Sequence, residues 1–327
     1  KRQRLRDMGD ARLDLEDAIA TRVGAEEATS GGPRRLPWLV AAAFFVIAVA
    51  LGWMALTRGP EGGLGVATLG LPRDEAVDLG IHNAWPRVEF SPDGDQVVYI
   101  GGTEERLFRR DIDSFESEVI AGTEEVGVFT FSPDGLWIAY STWGGLSKVA
   151  LSGGAPLEIC DTANGPGLAW GEGEIYFARN NGGGLWAVPA EGGPIRQITT
   201  LDEEREETSH RWPHVLPGGK HLLFTIKTAR IETFDDALIG LLELESGDVT
   251  VLLRGGTAPK YLESGHIVYG RDSQHFAVPF DLESLTVEGT PIPVLEGVDT
   301  VDVNGCTQYA LSRDGDLAYL TAGEAVA

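Results

Sequence analysis

An all-β propeller of six blades is the fold this sequence predicts, and three observations predict it. A turn element rich in Pro, Asp and Gly recurs six times, its closing glycines (Gly94, Gly135, Gly173, Gly219, Gly265, Gly315) spaced by 41, 38, 46, 46 and 50 residues. A strand-built period of about 40–50 residues is the signature of propeller blades. Short runs that are apolar on both faces flank every copy, as strands packed between neighbouring sheets must be. The chain's 43 glycines supply the turns that so many strands require.

Each copy follows one plan. A first strand (RVEF, FTF, LAW, HVL, KYL, YAL) runs into the turn, which reads FSPDG at Phe90–Gly94 and Phe131–Gly135. It weakens to WGEG at Trp170–Gly173, LPGG at Leu216–Gly219, LESG at Leu262–Gly265 and SRDG at Ser312–Gly315. In these turns Pro fixes φ, the carboxylates of Asp93, Asp134 and Asp314 bond the local backbone, and Gly accepts φ > 0. A second strand follows, with an aromatic four or five residues past the glycine (Tyr99, Tyr140, Phe177, Phe224, Tyr269, Tyr319). Weaker third and fourth strands come next, joined by Gly-Gly at Gly153-Gly154 and Gly192-Gly193. The sixth copy has only two strands before Ala327. Gly65–Leu71 and Glu75–Gly80 read as two more, which would complete the last blade and close the ring; the rival expectation is a piece of a longer repeat array.

Ahead of the repeats stands a run of 22 uncharged residues, Leu36–Thr57. Its length suits one transmembrane helix; a buried core helix is the alternative. The organisation expected is a segment at 1–23 with a short amphipathic helix at Asp10–Ala20, Asp10 as its N-cap, a polar linker at 24–35, a span at 36–57 and the propeller at 58–327. Arg34 and Arg35 abut the start of the run, which places the N-terminus in the cytoplasm and the propeller outside.

Net charge is −24, from 26 basic and 50 acidic residues. Residues 1–35 carry eight basic and seven acidic side chains, so the acidity lies almost wholly in the propeller. That argues against a nucleic-acid partner, whose phosphates would be repelled. Cys160 and Cys306 are the only cysteines; the repeat register sets them apart, so two separate thiols are expected rather than a bridge. Neither they nor the six histidines show zinc-type spacing.

Short, uniform turns fill one propeller face, so sequence variety gathers on the other, around the residues entering each inner strand. These are His82, Asn83 and Trp85; Glu124 and Glu125; Asn164; His210, Arg211 and Trp212; Thr257 and Lys260; and Asn304. Asn83, Trp85, Asn164, His210, Arg211, Trp212 and Asn304 are the candidate ligand contacts for a small molecule, peptide or protein. For Trp85-Pro86 and Trp212-Pro213 gap filling at the channel mouth is the stronger reading. For His210-Arg211, after the acidic run Asp202–Glu207, a local ion pair competes with a binding role. No GxSxG elbow is present, and enzymatic activity is not expected.

The FSPDG-type repeats resemble TolB-type, WD-like propellers. The stretches Ser209–Ile226, Phe234–Val249, Ser264–Arg271 and Ala277–Val298 look like the extracytoplasmic part of bacterial receptor-type serine/threonine kinases. KRQRLRDMGDARLDLEDAIA (Lys1–Ala20) is similar to the last helix of the kinase C-lobe, with Arg4 matching its structural arginine. The resemblance implies the non-catalytic, ligand-sensing remainder of a single-pass membrane kinase, with homodimerisation open; a membrane-anchored TolB-like scaffold is the alternative. ATP and Mg would belong to a kinase domain that this sequence lacks, since the glycine-rich loop, strand lysine and metal-binding aspartate are absent. Arg109-Arg110-Asp111 falls in a blade strand without the downstream Asn, a chance match.

Overall fold

A computed structural model describes Trp85–Leu320, except Asp299 and Asp314, all within the unit Gly62–Ala327. The expected span Leu36–Thr57, the N-terminal helix and linker, Asn83 and the strands proposed at Gly65–Gly80 lie outside the described residues. Among the described residues no helix is long and apolar enough to cross a membrane.

The first blade comprises β1 (Val88–Phe90), β2 (Gln96–Gly101), β3 (Arg106–Asp111) and β4 (Glu118–Val119); the second, β5 (Phe129–Phe131), β6 (Trp137–Thr142), β7 (Gly145–Ala150) and β8 (Leu157–Cys160). The third holds β9 (Leu168–Trp170), β10 (Glu174–Ala178), β11 (Leu185–Pro189) and β12 (Arg196–Gln197). The fourth holds β13 (Glu207–Val215), β14 (His221–Thr228), β15 (Leu238–Glu243) and β16 (Val249–Arg254). In the fifth, β17 (Thr257–Leu262), β18 (His266–Arg271), β19 (Gln274–Asp281) and β20 (Thr286–Val287) are joined by β21 (Ile292–Glu296), which also pairs with β19. Two hairpins follow, β22 (Thr300–Val301) with β23 (Cys306–Thr307), and β24 (Tyr309–Leu311) with β25 (Leu317–Tyr319). All these pairings are antiparallel, and the only helical turn among the described residues is the 3-10 segment Phe234–Asp236.

The expectation of six blades is corrected: among the described residues five blades are built. The sixth copy supplies its turn and two three-residue strands, so β24 and β25 form a hairpin rather than a four-stranded sheet. Ala310 and Ala318 pack with the first blade, while Tyr309 and Leu317 pack with the fifth.

Turn chemistry holds throughout. All six closing glycines adopt positive φ, from 66° at Gly219 to 95° at Gly315. In the first turn Ser91 Oγ donates to Asp93, which also accepts from the Asp95 amide at 3.2 Å; Ser132, Asp134 and Leu136 repeat this in the second. Hydrogen bonds from the serine hydroxyl and then the backbone lower the pKa of both aspartates. Five of the six second-strand aromatics are buried, and Tyr319 of the short hairpin is half-buried. The core is a set of clusters between blades: Tyr176, Leu185, Leu222 and Phe224 between the third and fourth, for example, and Leu223, Ile239, Ile267 and Tyr269 between the fourth and fifth.

Candidate functional site

The inner strands β1, β5, β9, β13 and β17 each end their sheet, so one backbone edge of each is left unpaired by its own blade. These edges surround an axial chamber of about 400 Å³. At one end the lining reaches the Pro/Asp/Gly turns: Pro92, Pro133, Glu172, Pro217, Glu263 and Arg313. At the other, Trp212, Val128, Ala258 and Cys306 form a buried cluster against which Trp85, Leu168 and Val301 pack. Every blade and the segment before the last hairpin contribute to this apolar plug.

The local backbone explains the plug. Trp212 and Ala258 both have positive φ, 53° and 50°, and each precedes a proline at a break in strand register, between Arg211 and His214 and between Thr257 and Lys260. Such bulges re-aim a side chain from the sheet face. Gly167 is required beside Trp212, since its φ is 106° and a Cβ there would stand 2.7 Å from the Trp212 backbone. Trp85 and Trp212 meet edge to face, with ring centroids 6.4 Å apart.

The predicted contacts fall into three groups. Trp85, Arg211, Trp212 and Asn304 come together. Trp212 Nε1 donates to the Asn304 carbonyl at 3.0 Å, and Arg211 donates to the same carbonyl at 3.3 Å, to Ser209 Oγ at 2.8 Å and to the Asn181 carbonyl. Burial brings the Arg211 pKa down to about 10, and its guanidinium lies 4.9 Å over the Phe234 ring. His210 is held apart from this group, fully buried, its Nδ1 2.7 Å from Thr199 Oγ1 and its Nε2 3.0 Å from Glu207. Burial raises the Glu207 pKa, but hydrogen bonds from His210, the Asp202 amide and Arg205 outweigh it and bring the group to about 2. Asn164 is exposed before β9.

The chamber carries a second polar set. Glu89, Thr130, His214 and Lys260 each stand five residues before a closing glycine and line the cavity wall. Glu89 accepts a long bond from Thr130 Oγ1 at 3.4 Å; Lys260 Nζ donates to the Tyr309 carbonyl at 3.4 Å and lies 5.2 Å from that ring's centroid. Desolvation pushes Glu89 up to about 7 against the opposing pull of Lys260 and Thr130. Burial, then the Lys260 charge, brings His214 down to about 3. Glu89 and His214 belong to no motif; their signal is the shared repeat position, at which an inner strand that is otherwise apolar turns polar.

Cys160 is half-buried on β8 and Cys306 buried on β23, not bridged to each other. Arg109, from the kinase-like tripeptide, pairs with Glu118 within the first blade at 2.6 Å. Among the described residues no group of three His, Cys, Asp or Glu is placed to hold a metal ion.

No family model matches the sequence, and no curated protein matches it. Solved structures resemble the fold. TolB from Acinetobacter baumannii is 13% identical, with 68% of this chain and 55% of that one covered, at a TM-score of 0.51. A putative TolB from Agrobacterium tumefaciens is 17% identical over 72% and 90%, at 0.52. The Cps50 (Swd1) β-propeller domain from Myceliophteria thermophila is 13% identical over 73% and 80%, at 0.50. The fold is TolB-like; the chain spans little more than half the length of the first of these proteins.

Proposed function

We propose that this TolB-like propeller is a protein-interaction module whose axial chamber receives a short segment of a partner polypeptide from the side of the Pro/Asp/Gly turns. One observation carries the reading: five inner strands turn the edge left unpaired by their own blades toward a chamber whose far end is filled by the Trp212 cluster, only part of the β13 edge, at Ser209–Trp212, being bonded to the third blade. Strand edges bind main chain through their free N–H and C=O groups. Prolines 86, 92, 133, 213, 217 and 259 interrupt the lining and withdraw donors, which guards the edges against indiscriminate pairing. A photo-crosslinking residue at Pro217 or Glu263, both exposed beside the chamber, should trap partner; one at exposed Trp143 or Val303 should not. The reverse pattern would move the working face to the opposite side.

A finer reading makes the module the outward sensor of a single-pass membrane kinase. The order of a C-lobe-like segment at Lys1–Ala20, the apolar run Leu36–Thr57 and the propeller favours it. It stands on the resemblance and on residues outside those described.

A further inference from the structure

We propose that Lys260, with His214 and Glu89, forms a subsite in the chamber that selects a ligand segment whose leading end carries a free carboxylate. This rests on the chamber being the binding site. Lys260 is half-buried, its one hydrogen bond is the 3.4 Å contact to the Tyr309 carbonyl, and among the described residues no carboxylate lies within ion-pairing distance of its Nζ. An ammonium has three donors, so two are left to whatever fills the chamber. Water is their weakest available partner; a carboxylate gives a charge-assisted bond.

Glu89 is the natural competitor for this cation and a poor one. Its pKa of about 7, raised by burial, leaves it substantially protonated at neutral pH. The low pKa of His214 keeps that ring neutral, able to donate one N–H to an anion without adding charge. The other groups turned to this region are Thr130 from β5, Tyr261 from β17, Tyr309 from β24, the Cys306 thiol from β23, and His275 from β19, which burial and the Lys260 charge keep neutral; Glu172, Glu263 and Arg313 stand at the exposed mouth, where solvent screens them. Burial also lowers the Lys260 pKa, so the inner wall presents a positive charge that Glu89 compensates only in part. An arriving carboxylate satisfies it and strengthens Glu89's hold on its proton, so binding takes up a proton. A cationic ligand would have to ionise Glu89 and face Lys260 at once.

The test uses the full chain labelled at histidine for NMR, with the His214 resonance assigned by its loss in His214→Gln. The probes are acetylated tetra-alanine with a free C-terminal carboxylate and the same peptide as its amide. The acid should shift the His214 resonance with a Kd lower than the amide's by on the order of tenfold or more. Lys260→Met should bring the two to equal affinity, and Glu89→Gln should abolish the tightening of acid binding expected as pH falls from about 8 to about 6. If acid and amide bind the native chain equally, the carboxylate subsite is overturned while the chamber reading stands. If neither perturbs His214, both are overturned. Should Lys260→Met fail to fold, the acid–amide comparison in the native chain and the Glu89→Gln pH profile decide the matter.

Discussion

Trp212 and Asn304, 92 positions apart, are joined by a 3.0 Å hydrogen bond from the indole N–H to the backbone carbonyl. The bond ties the fourth blade's inner strand to the segment leading into the last hairpin. Among the described residues the sixth position has only two strands, and such contacts tie it to the rest of the propeller. Trp212→Phe keeps most of the apolar volume and leaves the carbonyl to Arg211 alone, so it should cost about 1 kcal/mol. Trp212→Ala also opens the plug and should cost about 3–5 kcal/mol. Denaturant unfolding of both variants measures the difference; equal, negligible losses would mean that the plug does not support the ring.

Two turn glycines give a local test. Gly94 and Gly135 have φ of 79° and 71°, where a β-branched side chain is strained. Val at either position should lower stability by about 1–3 kcal/mol. Thermal melts would show it, and unchanged melting at both sites would contradict the turn assignment.

Two buried groups, His275 and Glu207, should each lose their stabilising contribution in acid. His275 is buried with both ring nitrogens lacking a hydrogen-bond partner, and burial, then the Lys260 charge, holds its pKa at about 4. The unfolded chain takes up this proton near 6.5 and the folded one does not, so stability falls from about pH 6.5 to pH 4. Glu207 has the opposite chemistry and the same sign. Its carboxylate is stabilised above its unfolded pKa of 4.5, and that contribution is lost as pH falls toward 2. Each is worth roughly 2–3 kcal/mol at its limit. His214, at about 3, acts with the same sign and Glu89, at about 7, with the opposite sign, so the readout is the difference from native: His275→Leu should lose less stability than the native chain between pH 7 and pH 4, with stability at pH 7 unchanged or higher. A melting profile that His275→Leu leaves unaltered between pH 7 and pH 4 would refute this account.

Topology can be measured on the residues ahead of the propeller. A cysteine at Ser30 should resist an impermeant thiol reagent in intact cells, and one at Gly63 should react, as the Arg34-Arg35 flank of Leu36–Thr57 predicts. Labelling in the reverse pattern would remove the receptor reading.

What was legible in the sequence was local. A turn needs Pro, Asp and Gly within five residues, so the six turns and the paired strands around them could be read directly from residues such as Asp93-Gly94 and Asp134-Gly135. Blade number could not be read this way, because a sixth turn at Gly315 does not imply a sixth complete sheet. The convergence of Trp85, Arg211, Trp212 and Asn304 was legible as a place, since the repeat pattern set all four near the entries of inner strands, although Arg211 and Trp212 lie within β13 and Asn304 precedes β23. Their bonding was not, for it depends on a backbone carbonyl many residues away. His210 shows the same limit: Thr199 and Glu207 take both ring nitrogens, and only Glu207 was near enough in sequence to suggest itself. Lys260 was read as entering an inner strand, but Glu89, Thr130 and His214 were missed because each is a single polar residue in an apolar strand, and they meet only when the blades are arranged around one axis.

The chamber as the working site is the central claim, and filling it is the most direct test. His214 is half-buried on the wall, so His214→Trp places a large ring in the cavity, whereas Trp143→Ser alters only the opposite face. With a photo-crosslinker at Pro217, the yield of partner adduct should collapse in His214→Trp and stay at the native level in Trp143→Ser, both variants melting close to the native temperature. Full adduct yield in folded His214→Trp, or its loss in Trp143→Ser, would contradict the account.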